Sequence, residues 1–234
     1  MNTNREEILE CLGSPSFERR VGNSKANTID KNGRFYHVTQ KTWCGMPLYN
    51  ADIARYRHHL LCELCIKNGV TILYSVVMPT HTHDLLYSSS WKNISKVMQI
   101  LNSRIVKYAS RRYPQRKGFP MFCERPQYIV VKDMLHLHFL GKYVEDNVAS
   151  LEKQGKQVPY SCFWMFESGH FVPPYNADIY EKLFGVAPKE LYEYYKTHTK
   201  KEVWSDSFAM YGGLPSSFND SVFKADPSVE WLSS

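Results

Sequence analysis

The sequence predicts an α+β fold: a β-α-β-β-α-β series, one further helix, and a helical C-terminal extension. Three observations carry this. Short runs rich in β-branched and aromatic residues fall at 35–42, 71–78, from His81 onward, and within 121–131. Two longer stretches with apolar residues at helical spacing separate them, at 52–68 and 93–113. A third amphipathic stretch, 134–149, follows the last strand. This order is the ferredoxin-like arrangement, which hosts nucleic-acid binders, sensors and nucleases alike, so the fold by itself assigns no function.

The elements have local reasons. Residues 1–33 are polar and read as a leader before the domain at 34–150, with an extension at 151–234. The first strand alternates and carries His37. In the helix at 52–68, Ile53, Tyr56, Leu60, Leu61, Leu64 and Cys65 make a broad apolar face, and Asn68-Gly69 supplies the stop. Pro79 has no N–H to donate, so it separates the second strand from the third. Ile94, Val97, Met98, Leu101, Ile105 and Val106 form the core stripe of the second helix. Asp133 suits the N-cap of the third.

With 234 residues, 43% of them hydrophobic, the chain can build a real core. No apolar run approaches the ~20 residues that a membrane span needs, and no hydrophobic secretion segment opens the chain, so no membrane partner is expected. The six cysteines (11, 44, 62, 65, 123 and 162) show no framework spacing and read as reduced thiols of a cytoplasmic protein. Cys62 and Cys65, one turn after His59, lack an evident fourth ligand and read as buried thiols. The net charge of +6 is unevenly spread. Between Leu85 and Cys123 there is no acidic residue, whereas Lys92, Lys96, Arg104, Lys107, Arg111, Arg112, Arg116 and Lys117 all fall there. A one-signed surface repels itself unless a polyanion uses it, so this stretch is the candidate nucleic-acid-binding surface.

His81 and His83 project from one face of the third strand, roughly 7 Å apart along it, close enough for two imidazoles to reach one ion. On the helix at 134–149, His136, Leu140, Tyr143 and Asn147 share one face at i, i+4, i+7, i+11. Two readings fit that face. In one, Tyr143 packs with its hydroxyl bonded and Asn147 caps the helix end. In the other, Tyr143 is a nucleophile, and two imidazoles with an amide oxygen form an open ligand set for Mg²⁺ or Mn²⁺ acting on a phosphodiester. His136 sits on the Tyr143 face and is a candidate to orient DNA, while His138, two residues on, faces elsewhere and cannot share an ion with it.

Four stretches, in order, carry a resemblance: Phe35-Tyr36-His37-Val38-Thr39, Val77-Met78-Pro79-Thr80-His81-Thr82-His83, residues 94–102, and Lys142-Tyr143-Val144-Glu145-Asp146-Asn147-Val148. Together they resemble the IS200/IS605-type Y1 transposases of the HUH superfamily, most of all the REP-associated tyrosine transposase branch, over residues 33 to 165. The resemblance implies that His81 and His83 bind the metal, that Asn147 completes its shell, and that Tyr143 attacks single-stranded DNA beside a hairpin. The products would be a 5′-phosphotyrosine and a free 3′-OH, with no nucleotide cofactor. It implies a nucleoid-associated protein and leaves both a monomer and a homodimer open. Three positions depart from the pattern: Thr82 replaces a bulky apolar residue, Asp84 an apolar one, and Val148 a proline. Asp84 points away from His83 and adds a negative charge near the site. A non-catalytic hairpin or single-strand binder and a metal-dependent phosphodiester hydrolase are the rival readings.

After Ser150 the chain turns to Gly, Pro and aromatics. Short helices are expected at 178–185 and 188–201, with Leu191, Tyr192, Tyr194 and Tyr195 on one face. These aromatics read as the core of the extension rather than as stacking platforms for bases. Residues 204–234 show no pattern.

Overall fold

The computed structural model describes residues 34–114, 118, 120–131 and 134–211. The leader, Arg116, Lys117, Asp133 and residues 212–234 lie outside the described residues. Five strands form one antiparallel sheet in the order β4-β1-β3-β2-β5. They are β1 (Arg34–Lys41), β2 (Thr71–Val77), β3 (His81–Ser88), β4 (Gln127–Val130) and β5 (Tyr160–Ser161). The helices are α1 (Ala51–Lys67), α2 (Trp91–Arg112), α3 (Met134–Lys153), α4 (Phe163–Ser168), α5 (Ala177–Phe184), α6 (Pro188–Thr197) and α7 (Lys200–Tyr211). The first four strands with α1 and α2 make the expected ferredoxin-like sandwich. Among the described residues no helix is long and apolar enough to cross a membrane.

Each element ends where its chemistry changes. The Asn50 side chain accepts from Ile53 N at 2.9 Å and starts α1. Gly69, at φ +60°, takes the left-handed turn that lets Val70 N return to Cys65 O at 3.0 Å. The β2–β3 hairpin closes through Met78 N and His81 O at 2.8 Å. The fourth strand is shorter than expected, because residues 121–123 leave the ladder and instead bridge to Thr42. The register of β2 against β3 shifts between Ile72 and Tyr74, and the Leu73 carbonyl accepts from the Tyr180 hydroxyl of α5.

The two faces of the sheet are covered differently. Alternate residues Tyr36, Gln40 and Asp84 meet α1 and α2: Tyr36 stacks near Trp91 at 5.1 Å, Gln40 accepts from Asn102 at 2.8 Å, and Asp84 meets Arg57. The other face carries α3 and the extension. There Tyr74 lies against Phe163, Phe166 and Tyr180 with ring centroids 5.7–5.9 Å apart. Phe163, Phe166, Tyr180 and Tyr195 are all buried, so the extension's aromatics are core, continuous with the core of the sheet.

The extension holds more helix than the sequence reading gave it. The helix expected at 188–201 breaks after Thr197, and α7 begins with a reciprocal cap: Glu202 accepts from Thr199 N at 2.7 Å while Thr199 Oγ1 accepts from Glu202 N at 3.3 Å. That helix takes up residues 204–211, where no pattern was expected.

α6 docks on α3 at Gly141, where a Cβ would lie 2.6–2.8 Å from atoms of the buried Tyr195 ring. Lys142 Nζ donates to Tyr195 O at 2.5 Å, and His138 contacts the Tyr195 hydroxyl at 3.3 Å. Gly141→Ala therefore forces these helices apart and should cost about 1–3 kcal/mol, read from urea unfolding. A second expectation concerns pH. Burial holds His138 down at about 4, and burial with Arg57 nearby does the same to His58, both from 6.5. The unfolded chain then binds protons that the folded one refuses. Stability is fully present above pH 6.5 and is lost progressively as pH falls toward 4. Urea midpoints measured across that window should fall with acid, and His138→Leu should make the slope shallower.

Candidate functional site

An open cavity of about 720 Å³ lies between the sheet and α3. It is lined from β1 by His37, Thr39 and Lys41, from β3 by His81 and His83, and from α3 by Phe139, Leu140, Tyr143 and Asn147. The sequence-predicted tyrosine, both histidines and the asparagine thus meet in one place. The His81 and His83 ring centroids are 4.9 Å apart. Tyr143 stands edge-to-face with His83 at 5.3 Å and with His37 at 6.1 Å.

Backbone contacts hold this face in register. Thr42 N and Thr42 Oγ1 both donate to Thr80 O, at 2.8 and 2.9 Å, and Leu48 N and Tyr49 N both donate to Pro79 O. The turn entering β3 is therefore fixed by the loop after β1. Thr80 Oγ1 lies 3.1 Å from His81 Nδ1. His83 is 3% exposed, and its Nδ1 lies 3.0 Å from His37 Nε2. His37, carried on β1, is thus a buried, hydrogen-bonded histidine, and its place beside His83 comes from strand pairing rather than from local sequence.

All three imidazoles are neutral near pH 7. Burial, with His37, His81 and Lys41 nearby, pushes His83 down to about 2. Burial takes His37 to about 4, against a smaller opposing pull from Asp84. Burial and Lys41 lower His81. Neutral imidazoles are the form that binds metal. When His83 Nδ1–H donates to His37 Nε2, His83 Nε2 keeps its lone pair, and that nitrogen is buried with no hydrogen-bond partner among the described residues. A metal-bound histidine ordinarily has its other ring nitrogen held in this way. The residues present fit a divalent ion at His81 and His83. Among the described residues no three His, Cys, Asp or Glu side chains gather to hold a metal, so an amide or solvent must supply any further protein-side oxygen.

Asn147 is not a helix-end cap, since α3 runs on to Lys153. Its Nδ2 donates to Tyr143 O at 2.8 Å, which leaves Oδ1 as the atom with capacity to accept or ligate. His136 is half-buried and is not among the cavity's lining residues. His138 faces the extension, packed on Phe184 at 4.5 Å. Cys65 is buried and Cys62 contacts His58 at 3.4 Å, as thiols rather than ligands.

The basic residues of α2 are elsewhere. Lys92, Lys96, Arg104, Lys107, Arg111 and Arg112 are exposed, but α2 covers the sheet face opposite the cavity. Arg112 also pairs with Asp52 at 3.4 Å. The cation that does line the cavity is Lys41, which the sequence reading passed over because it is isolated in chain position.

Asp84 is likewise not a bare charge at the site. It lies beneath His83, 0% exposed, on the side facing α1. Arg57 donates to both its oxygens, at 3.2 and 2.5 Å, and to Thr82 Oγ1 at 3.2 Å, while Ser75 Oγ donates to Asp84 Oδ1 at 2.8 Å. The departures Thr82 and Asp84 are thus two parts of one buried network. Asp84→Ala strands the Arg57 guanidinium and should cost about 3–5 kcal/mol in urea unfolding, whereas Arg57→Met with Asp84→Leu should recover most of it.

Residues 33–147 match the family model described as IS200-like transposase. A crystal structure of a provisionally assigned transposase from Deinococcus radiodurans R1 is also similar, at 17% identity over 49% of this chain and 90% of that chain, with a TM-score of 0.35. No curated protein matches. Residues 33–147, just under half of the chain, are thus similar to the IS200-like transposases, a similarity that supports a transposase role.

Proposed function

We propose that the chain is a metal-dependent strand transferase acting on single-stranded DNA beside a hairpin, with Tyr143 as nucleophile. The observation that carries this reading is the edge-to-face placement of Tyr143 on His83, inside the cavity that also holds His81 and Asn147. In this reading His81 and His83, through their neutral imidazoles, and Asn147, through its amide oxygen, hold Mg²⁺ or Mn²⁺. Such an ion, when bound, supplies Lewis-acid polarisation of a phosphodiester.

The chain's own part is nucleophile, placement and charge. Tyr143 Oη forms a bond to phosphorus, the bond from phosphorus to the 3′-oxygen breaks, and the phenol proton ends on that oxygen as a free 3′-OH. One phosphodiester replaces another, so no external energy source is required and the same tyrosine ester can be attacked again to join strands. Lys41 supplies positive charge at the cavity for the phosphate. The exposed basic face of α2, on the far side of the sheet, would engage flanking DNA rather than the reacting phosphate. With no membrane-spanning helix among the described residues and DNA as the substrate of the family, the nucleoid of the cytoplasm is the compartment we assign.

The test is a denaturing gel of the protein with a labelled hairpin-bearing single strand, with and without Mn²⁺. A covalent protein–DNA band should form only with metal and vanish in Tyr143→Phe and His83→Ala, with hairpin binding retained in both. Cleavage that produces no adduct and survives Tyr143→Phe would make the protein a hydrolase. Tight binding with no reaction across flanking hairpins would make it a DNA-binding protein only.

A further inference from the structure

The extension reaches the tyrosine. Lys200, the first residue of α7, holds its Nζ 5.1 Å from the centroid of the Tyr143 ring. The same ammonium lies 3.3 Å from Asp146 Oδ2, one turn along α3. We propose that Lys200, which lies outside the family-matched segment, is a positioning residue for Tyr143, fixing the ring against the histidines by an Asp146-anchored cation–π contact. The role of that ring rests on the transferase reading above.

Three observations converge on it. First, the ring's other contacts are edge-to-face with His37 and His83, and Lys200 adds a charge over its face. The sheet and the extension thus bound the same ring. Second, Lys200 sits where a helix dislikes a cation. The N-terminal end of α7 carries the positive end of the helix dipole, so a lysine there costs stability unless something outside the helix holds it. Third, Lys142 Nζ is shared between Glu145 Oε2 at 2.8 Å and Asp146 Oδ1 at 3.0 Å, so Asp146 keeps charge with which to anchor Lys200 over the ring. Helix stability does not account for Lys200; the Asp146 carboxylate and the tyrosine ring together hold it.

The placement is also rigid enough to matter. The Thr199–Glu202 cap fixes the first turn of α7. On the other side, α3 is locked to α6 through Gly141, Lys142 and Tyr195. A phenol that attacks in line tolerates little misplacement, and errors on the order of 1 Å cost about a hundredfold in rate.

The experiment compares full-length Lys200→Met, Lys200→Arg and Lys201→Met with wild type. Lys201 is the exposed neighbour and carries the same charge. Single-turnover adduct formation should slow about tenfold in Lys200→Met, between the worth of an exposed cation–π contact and that of a misplaced nucleophile. Arginine should restore it, Lys201→Met should leave it unchanged, and hairpin affinity and thermal midpoint should stay constant throughout. Equal slowing in Lys200→Met and Lys201→Met would overturn the proposal in favour of general DNA attraction, and so would a loss confined to hairpin affinity.

A second readout does not depend on turnover. In protein carrying ring-¹³C tyrosine, the Tyr143 signal is the one absent from Tyr143→Phe. It should move in Lys200→Met and stay near its wild-type position in Lys200→Arg. If wild type forms no adduct but this signal responds, the transferase reading fails and the contact stands. A signal indifferent to Lys200→Met overturns the contact itself.

Discussion

Everything at the site depends on a buried ion pair that never touches it. Asp84, wholly enclosed, is gripped at both oxygens by Arg57, which reaches up from α1. Isolated, either charge would be too costly to bury; together, with Ser75 and Thr82 taking up remaining hydrogen-bonding capacity, they weld α1 to β2 and β3. Because a strand alternates, whatever fixes Thr82 and Asp84 downward fixes His81 and His83 upward. The strand that presents the imidazoles is therefore anchored from its opposite face. The residues that break the family pattern on this strand do so as a set, and the break stays on the far face. The negative charge that the sequence places near the histidines is answered there by Arg57, and its pull on His37 through the sheet is outweighed by burial.

On the near face the controlling term is burial. His37, His81 and His83 are held neutral by loss of water, with His37 and His81 adding to the effect at His83 and Lys41 adding to it at His81 and His83. The His37–His83 contact gives burial a direction, since it occupies Nδ1 of His83 and leaves Nε2 as the ring nitrogen with no hydrogen-bond partner among the described residues. A cluster of three neutral rings and one phenol is apolar enough to pack and polar enough to receive an ion. This is why the same side chains satisfy both a structural and a chemical description.

Much of this was legible in the sequence, for reasons that can be located. The period-two pattern placed His81 and His83 on one face, and the period-3.6 pattern placed Tyr143 and Asn147 on another. Pro79 and Asn68-Gly69 marked the breaks between elements. What pairing across the chain creates was not legible. Arg57 reads as one more charge in an amphipathic helix until Asp84 is beneath the sheet with it. His37 reads as a core histidine until the β1–β3 register sets Thr39 opposite His83 and brings His37 beside it. The basic run of α2 reads as a binding surface, but chain order cannot tell which side of a sheet a crossover helix will cover. One local signal was present and overlooked: Thr199-Lys200-Lys201-Glu202 is a capping-box sequence, and it ends one helix and starts another.

The extension follows from the same logic of two-faced elements. α3 shows Tyr143 and Asn147 to the cavity and Gly141, Lys142 and His138 to the extension, so a displacement of one contact set moves the other. The helix itself runs through Lys153, past the end of the matched segment at residue 147 and across the boundary at 150 that the composition suggests. The extension's aromatics join the same core as the sheet, docking where the β2 register shifts at Leu73. A side chain carried on a helix is only as well placed as the partners of that helix. Here one partner is a sheet largely inside the matched segment and the other is a segment outside it, so sequence changes in α6 and α7 act on Tyr143 through side-chain contacts one or two residues long.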